Sequence, residues 1–328
     1  MFVILIAVLL DVRWGEPPNR FHPVVWMGSL IAWAKKRCPG DCENRNGNKL
    51  RFLWGIAIVV VGSCLVGLVG WIIQVGSSRM IAGELVPKPF AWVIVVLVQA
   101  LVLKSCFGIS ALYRAGQSVF EALSQEDIPR ARTQLAYHLV SRDVEHLSAS
   151  QISAAAIESV AENTSDSIVA PLFFYVVAGL PGVMIYRFAN TCDAMLGYRT
   201  TELEWLGKPA ARFDDLLNLI PARITAVLMI VANNPFRREA SSALKTWLRD
   251  ARATASPNAG HPMSVAAGLL QVCLEKRNHY RLGWEFPPPT RADISQMLVL
   301  FRRTVWLAVI LASASCQIAM FLPSRSTP

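Results

Sequence analysis

Phe52–Ile73 reads FLWGIAIVVVGSCLVGLVGWII, 22 residues without one charge. A helix needs about 20 apolar residues to cross the hydrocarbon core of a bilayer. A surface helix of a soluble protein would instead show a polar face. This stretch is therefore expected to span a membrane, and the composition of the whole chain agrees. Of 328 residues, 53% are apolar and 17% charged, where soluble domains carry about a quarter charged residues. Thr304–Leu322 (TVWLAVILASASCQIAMFL) is equally free of charge. Phe90–Leu112 is interrupted only by Lys104, which is expected to snorkel to an interface. Ile168–Tyr186 is broken by Pro181-Gly182, and Leu216–Ala232 by Pro221 and Arg223. The expected fold is all-α and polytopic, with about four or five transmembrane helices. It forms one membrane domain over residues 1–328, with polar helical insertions near 113–167 and 233–303.

The remaining composition narrows the class. Met1–Leu10 is apolar, lacks a preceding basic region and has no small-residue cleavage site after it, so it reads as a retained helix rather than a signal peptide. Seven cysteines, at 38, 42, 64, 106, 192, 273 and 316, form no framework and are expected to act as small buried hydrophobes. Net charge is +9. Six Lys/Arg fall in Lys35–Arg51 against two in Ser77–Lys88, which places the first loop in the cytoplasm of a bacterial inner-membrane protein. The basic stretch Asn234–Arg291 is expected on the same side. No basic stripe interleaved with aromatics is present, so nucleic acid is not an expected partner.

In the insertions, Pro129 marks a helix start, and further helices are expected near Arg238–Ala253 and from Arg291. The prolines in Ile168–Tyr186 and Leu216–Ala232 suggest a re-entrant or broken pair that would bring the polar clusters together.

Those clusters carry the chemistry. AAAIESVAENTSDSIVAPLFF, residues 154–174, sets Glu158, Glu162 and Asp166 at i, i+4 and i+8, one acidic stripe on a helix face. Most charge runs are solvated faces. This one abuts an apolar segment, where an unpaired carboxylate is costly and acids default to function. Oxygen-only ligands favour Mg²⁺, which shares its coordination with phosphate oxygens. Asn190 and Asp193 are i, i+3 neighbours, and Asp214, Asp215 and Asn218 form a second compact set flanked by Arg212 and Arg223. Such arginines hold phosphate or carboxylate groups in bidentate fashion. Asp11 and His22 bracket a Pro-rich turn, and Ser256-Pro257-Asn258-Ala259-Gly260 is a turn whose N–H groups would cradle an anion. No GxxxxGK[ST], GxGxxG, HExxH or GxSxG motif occurs, so a nucleotide would be held by a site other than a P-loop.

Taken in order, DVRWGEPPNRFHPVVWMG, RDVEHLS, IESVAENTSDSIVAPLFF, NTCDAMLGY, ARFDDLLNLIPARITA and SPNAGHPM resemble the CobD/CbiB family of cobalamin biosynthesis over residues 11–263. The resemblance implies an adenosylcobinamide-phosphate synthase. Such an enzyme uses ATP and Mg²⁺ to join adenosylcobyric acid to (R)-1-amino-2-propanol O-2-phosphate, or to aminopropanol. Carried onto this chain, the catalytic residues would be Glu158, Glu162, Asp166, Asp214, Asp215 and His22, the first three also holding metal. The substrate-binding residues would be Arg142, Asp143, Asn163, Asn190, Asp193, Tyr198, Arg212, Asn218, Arg223, Ser256, Asn258 and Gly260; Asp11 and Pro17 belong to the same motifs. The implied partners are the corrinoid, the aminopropanol phosphate, the bilayer, and a second copy of the chain or other enzymes of the pathway. Ser167 stands where the family commonly has Gly, and Cys192 where it has Leu. Two other readings stay open: a non-catalytic AmpE-like membrane sensor, and a transporter.

Overall fold

The computed structural model describes residues 2–16, 18, 20, 22–40, 45–83, 87–141, 143–236 and 238–321. Among them the regular secondary structure is helical but for one short hairpin. Five helical segments are long and apolar enough to cross a membrane: Arg45–Ile81, Lys88–Ser124, Ala149–Leu196, Glu204–Ala232 and Arg291–Ile318. Each of the five stretches singled out by hydropathy falls largely within one of them. The protein is an all-α, multi-pass membrane protein.

The chain divides into two compact units. The first comprises Met1–Gly108, Pro171–Leu217 and Val309–Pro328. It holds α1 (Phe2–Trp14), α2 (Pro23–Lys36), α3 (Arg45–Ala82) and α4 (Lys88–Lys104), most of α8 (Ala170–Leu196) and the first half of α9 (Glu204–Ala232). Between lipid-soluble helices no hydrophobic force drives association, so close packing at small residues must. α3 shows this device. A Cβ on Gly70 would lie 2.9 Å from Pro181 N and 3.0 Å from Leu180 O, while one on Gly62 would enter the Phe188 ring and one on Gly55 would meet Leu206 O. α8 breaks where Pro181 suggested. Ala178 (φ −138°, ψ 15°) and Gly179 (φ +64°, ψ −150°) leave helical space. The freed Leu180 N–H donates to Gln74 Oε1 of α3 at 2.9 Å, which is how a membrane-depth break avoids an orphaned donor.

The second unit comprises Ile109–Ala170 and Asn218–Ala308, so both polar insertions fold into it. It contains α5 (Ile109–Ser124), α6 (Ile128–His138), α7 (Ala149–Thr164), α10 (Arg238–Asp250), α11 (Gly260–Leu270), a hairpin of β1 (Leu274–Lys276) and β2 (Tyr280–Leu282), and the first part of α12 (Arg291–Phe321). Asp127 caps α6 by accepting from Arg130 N, with Pro129 in the first turn. α7 and α11 are Ala-rich and buried on nearly every side, from Ile152 to Ala161 and from Pro262 to Leu269. α7 packs against α5, α6, α11 and β1.

Three expectations change. Lys104 does not snorkel: it is 5% exposed at the end of α4. α1 packs against α4 and carries the fully buried Asp11, a charge of opposite sign on the neighbouring helix. α9 runs unbroken through Pro221, so the pair of broken helices reduces to one; Thr225 Oγ1 donates to the Pro221 carbonyl in the same stretch. Cys64 is exposed on α3 rather than buried, a position compatible with lipid because the thiol behaves as a small hydrophobe. Cys42 and Pro17 lie outside the described residues.

Candidate functional site

The acidic stripe begins on a well-specified helix. Ser148 and Gln151 form a reciprocal capping box at the start of α7, which fixes the register of everything that follows. Glu158 is buried, and Glu162 and Asp166 are half-buried. After Thr164 the helix opens into a π turn, Ser165–Val169, closed by Ala170 N donating to Ser165 O. Such bulges concentrate at functional sites, and here Asp166 sits inside one. No glycine or proline in residues 164–169 announces it.

A second polar column runs beside the carboxylates. Ser159 Oγ donates to Leu139 O at 2.8 Å. Asn163 Nδ2 donates to Ser159 O at 2.9 Å and to its hydroxyl at 3.3 Å. Ser167 Oγ donates to Asn163 Oδ1 at 3.4 Å. Both ends of the Asn163 amide are therefore engaged inside the helix, and this residue acts as a strut between two serines. Ser167 supplies its second anchor.

Among the described residues no three His, Cys, Asp or Glu side chains converge closely enough to form a metal cage. Mg²⁺ rarely needs one: it is commonly held by one or two carboxylates, with water and substrate phosphate completing its octahedron. The donor set fits that mode, with Glu162 and Asp166 half open and Glu158 buried one turn earlier on α7.

Elsewhere in the same unit, the turn before α11 is tightly knit. Thr254 Oγ1 donates to Ser256 O, and Ser256 Oγ accepts from the N–H groups of Asn258 (3.2 Å) and Ala259 (3.4 Å). His261 N donates to Asn258 O and Met263 N to Ala259 O, and Pro262 has no N–H. The expected anion cradle is thus largely spent within the turn. Asn258 is 5% exposed, and Gly260 leaves no room for a Cβ against Ala251 O and Thr254 Oγ1. Trp247 Nε1 of α10 donates to His261 Nδ1 at 2.8 Å. Burial pushes the His261 imidazole below its ordinary pKa; the charges of Arg223 and Arg252 add to this, and the Pro257 carbonyl opposes it. Asp143 is exposed, its carboxylate accepting Glu145 N in a turn. Arg142 lies outside the described residues.

The first unit carries its own cluster, on α8 and the first half of α9. Arg187 Nη1 donates to Asn190 Oδ1 at 3.1 Å, and Asn190 Nδ2 reaches Asp214 Oδ1 at 3.5 Å. Asp214 is 8% exposed. Asp193 lies one turn after Asn190 on α8, and a Cβ on Gly197 would strike its carboxylate. Arg212 pairs loosely with Asp215 at 3.8 Å and is largely solvent-facing. Tyr198 is exposed. Arg223 and Asn218, farther along α9, belong to the second unit: Arg223 donates to Leu219 O of its own helix and is exposed, and Asn218 is 1% exposed.

His22, 9% exposed, caps α2 by accepting Val24 N at Nδ1 (3.2 Å). Burial lowers its pKa; the Glu16 carboxylate opposes that, and the Lys104 and Arg187 charges reinforce it. At neutral pH this imidazole is therefore neutral. Sequence reading missed Arg187, although an arginine within a span three residues before Asn190 is the kind of intramembrane charge that marks a site. It also missed Gln74, Ser159 and the Trp247–His261 pair, which no spacing rule singles out.

Fold and clusters together define a polytopic α-helical membrane protein with carboxylate- and amide-rich sites on its long helices. The chain belongs to the CobD/CbiB family of cobalamin biosynthesis proteins, whose model, described as CobD/Cbib protein, matches residues 4–301. The cobalamin biosynthesis protein CobD of Dehalococcoides mccartyi is 38% identical over 316 residues, covering 94% of this chain and 96% of that protein. A probable cobalamin biosynthesis protein CobD of Methanothermobacter thermautotrophicus is 36% identical over 321 residues, 98% of each. The CobD protein of Geobacter metallireducens is 36% identical over 291 residues, 89% of this chain and 86% of that one. No solved structure matches the chain.

Proposed function

We propose that this protein is the amide-forming ligase of its family, joining adenosylcobyric acid to (R)-1-amino-2-propanol O-2-phosphate, or to aminopropanol, at the expense of ATP. The observation that carries the reading is the acidic stripe, ending in a π turn with two half-open carboxylates beside a fixed hydrogen-bonded column. An all-oxygen site of this kind suits a metal ion that binds phosphate.

A carboxylate is a poor acyl donor because its oxygen leaves badly. In the proposed course the corrinoid carboxylate oxygen takes the γ-phosphoryl group of ATP, releasing ADP. The amine nitrogen then attacks the acyl carbon, inorganic phosphate departs, and the ammonium proton passes to a base. Glu162 and Asp166 would hold Mg²⁺, which neutralises phosphoryl charge during transfer. Glu158, buried one turn before Glu162, belongs to the same stripe. Arg212 and Arg223, exposed on α9, and Arg142 supply forked donors for phosphate oxygens. His22 is held neutral and so is competent to accept the amine proton. Asn190 and Asp214 offer orienting hydrogen bonds in the first unit.

The test uses the detergent-solubilised full-length chain with adenosylcobyric acid, aminopropanol phosphate and Mg-ATP. Mass spectrometry would follow the amide and nucleotide products. Amide formed together with ADP is expected. A folded protein that binds the corrinoid yet turns over neither substrate would reject the ligase and favour a sensor of the AmpE type. Corrinoid uptake into vesicles without amidation would favour a transporter.

A further inference from the structure

We infer that the outward face of α10 is an interfacial anchor that binds anionic lipid headgroups. α9 is long and apolar enough to span the bilayer and ends at Ala232. α10 starts six residues later, at Arg238. Extended chain covers at most about 3.5 Å per residue, and the Asn234 turn (φ +72°) shortens that reach. The start of α10 is therefore tethered within about 20 Å of the end of the span, within reach of the headgroup layer.

The helix has two unlike faces. Ala240, Ala243, Thr246 and Asp250 are buried, and α10 packs against α11 and β2. The other side presents Leu244 at 46% and Leu248 at 79% exposure, preceded by Phe236 at 96%. In water such side chains would be a liability. Cations interleave with them: Arg238, Lys245 and Arg252 are exposed, and none of the three belongs to an ion pair among the described residues. Arg249 contrasts with them. Asp250 and Glu285 hold its guanidinium, which stacks 4.9 Å from the Trp284 ring; Trp284 is 56% exposed. Bulky apolar groups alternating with unneutralised cations, next to the end of a span, match the headgroup layer: apolar groups dip into the acyl boundary while ammonium and guanidinium groups meet lipid phosphates. A second protein would have to complement cations and leucines on a helix tethered close to the bilayer, and the charge pattern favours lipid.

The test places a photoreactive group on the face by Leu248→p-benzoylphenylalanine in the full-length chain, reconstituted in nanodiscs of phosphatidylcholine with or without phosphatidylglycerol. Illumination and mass spectrometry identify what is captured. The expected result is a lipid adduct at position 248 whose yield rises several-fold with phosphatidylglycerol. Charge reversal by R238E and K245E should cancel that rise while gel filtration shows an unchanged fold. No lipid adduct, or an adduct to another protein chain, would overturn the proposal. So would a lipid yield indifferent to phosphatidylglycerol and to the charge reversals.

Discussion

The helical run from Ala149 to Leu196 is interrupted twice, by different means. At Ala178–Gly179 the backbone itself leaves helical space, and a side chain from α3, Gln74, takes up the freed N–H of Leu180. At Ser165–Val169 the backbone stays helical but opens to the wider π spacing, while serine and asparagine side chains of the same run form a ladder along it. The first interruption demands one residue, glycine, at one position. The second demands only a hydrogen-bonded column and leaves two carboxylates half open. A strained break fixes geometry, and a π turn changes which side chains share a face. Under the proposed function, the first interruption is scaffold and the second carries chemistry.

Replacing a carboxylate of the stripe is the strongest way to break that assignment. Glu162→Gln keeps size and removes charge. Amide formation should fall by at least about 10²-fold, the scale seen when one group stabilising developing charge is lost, with thermal stability unchanged. Activity close to wild type would take the stripe out of the chemistry. Gly179→Ala should behave in reverse. Its conformation (φ +64°, ψ −150°) is open in practice only to glycine, and a Cβ would overlap Gln74 Oε1. Strain and overlap together predict a loss of about 3 kcal/mol, read as a lower denaturation midpoint in lipid. Gln74→Ala, which only orphans the Leu180 N–H, should cost about 1–3 kcal/mol. Equal stability of all three variants would erase the distinction.

Acidity should also separate the two regions. Nothing ionisable holds the break, so its integrity should not depend on pH. The second unit relies on a neutral His261 that accepts the Trp247 indole N–H. Because its folded pKa lies below the ordinary 6.5, the unfolded state binds the proton more readily. The stabilisation is complete above the unfolded value and is lost as pH falls through the folded one. Amide protection factors, corrected for the intrinsic pH dependence of exchange, should therefore fall in α10 and α11 as pH drops below 6.5 and stay constant near Gln74 and Leu180. Trp247→Phe should weaken the acid dependence. An unchanged profile in that variant would show that the indole bond does not hold the imidazole neutral.

How much of this was legible follows from what each feature costs in sequence. Spans write themselves in hydropathy because about 20 residues must all be apolar, and the break announced itself through Pro181-Gly182, although the residues that leave helical space are Ala178 and Gly179 just before them. Lys104 misled, since a lone cation near the end of a span usually reaches for water, and nothing local reveals that α1 brings a buried Asp11 to the neighbouring helix. Pro221 misled as well, because helix continuity there depends on surroundings a linear reading does not contain. The acidic residues were found by their four-residue spacing. The π turn that ends the stripe was not, because Thr-Ser-Asp-Ser-Ile-Val carries no glycine or proline, and Ser159 and Ser167 look like ordinary surface serines until Asn163 joins them.

Ser167 offers the finest test of the comparison. The motif resemblance puts it where glycine would be expected; here its hydroxyl donates to the Asn163 carbonyl oxygen. If the ladder steadies the π turn, Ser167→Ala removes one neutral, half-exposed hydrogen bond, for a loss of about 0.5–1 kcal/mol. Ser167→Gly should cost slightly more, because glycine adds helix entropy of about 1 kcal/mol relative to alanine. Both variants should loosen Asn163 without touching a carboxylate, so apparent affinity for Mg²⁺ in the amidation assay should weaken only a few-fold while the maximal rate holds. A Ser167→Gly variant that is more stable and equally active would mean that the π turn is set by backbone packing alone. The serine would then be a passenger, and the two interruptions would be alike in kind.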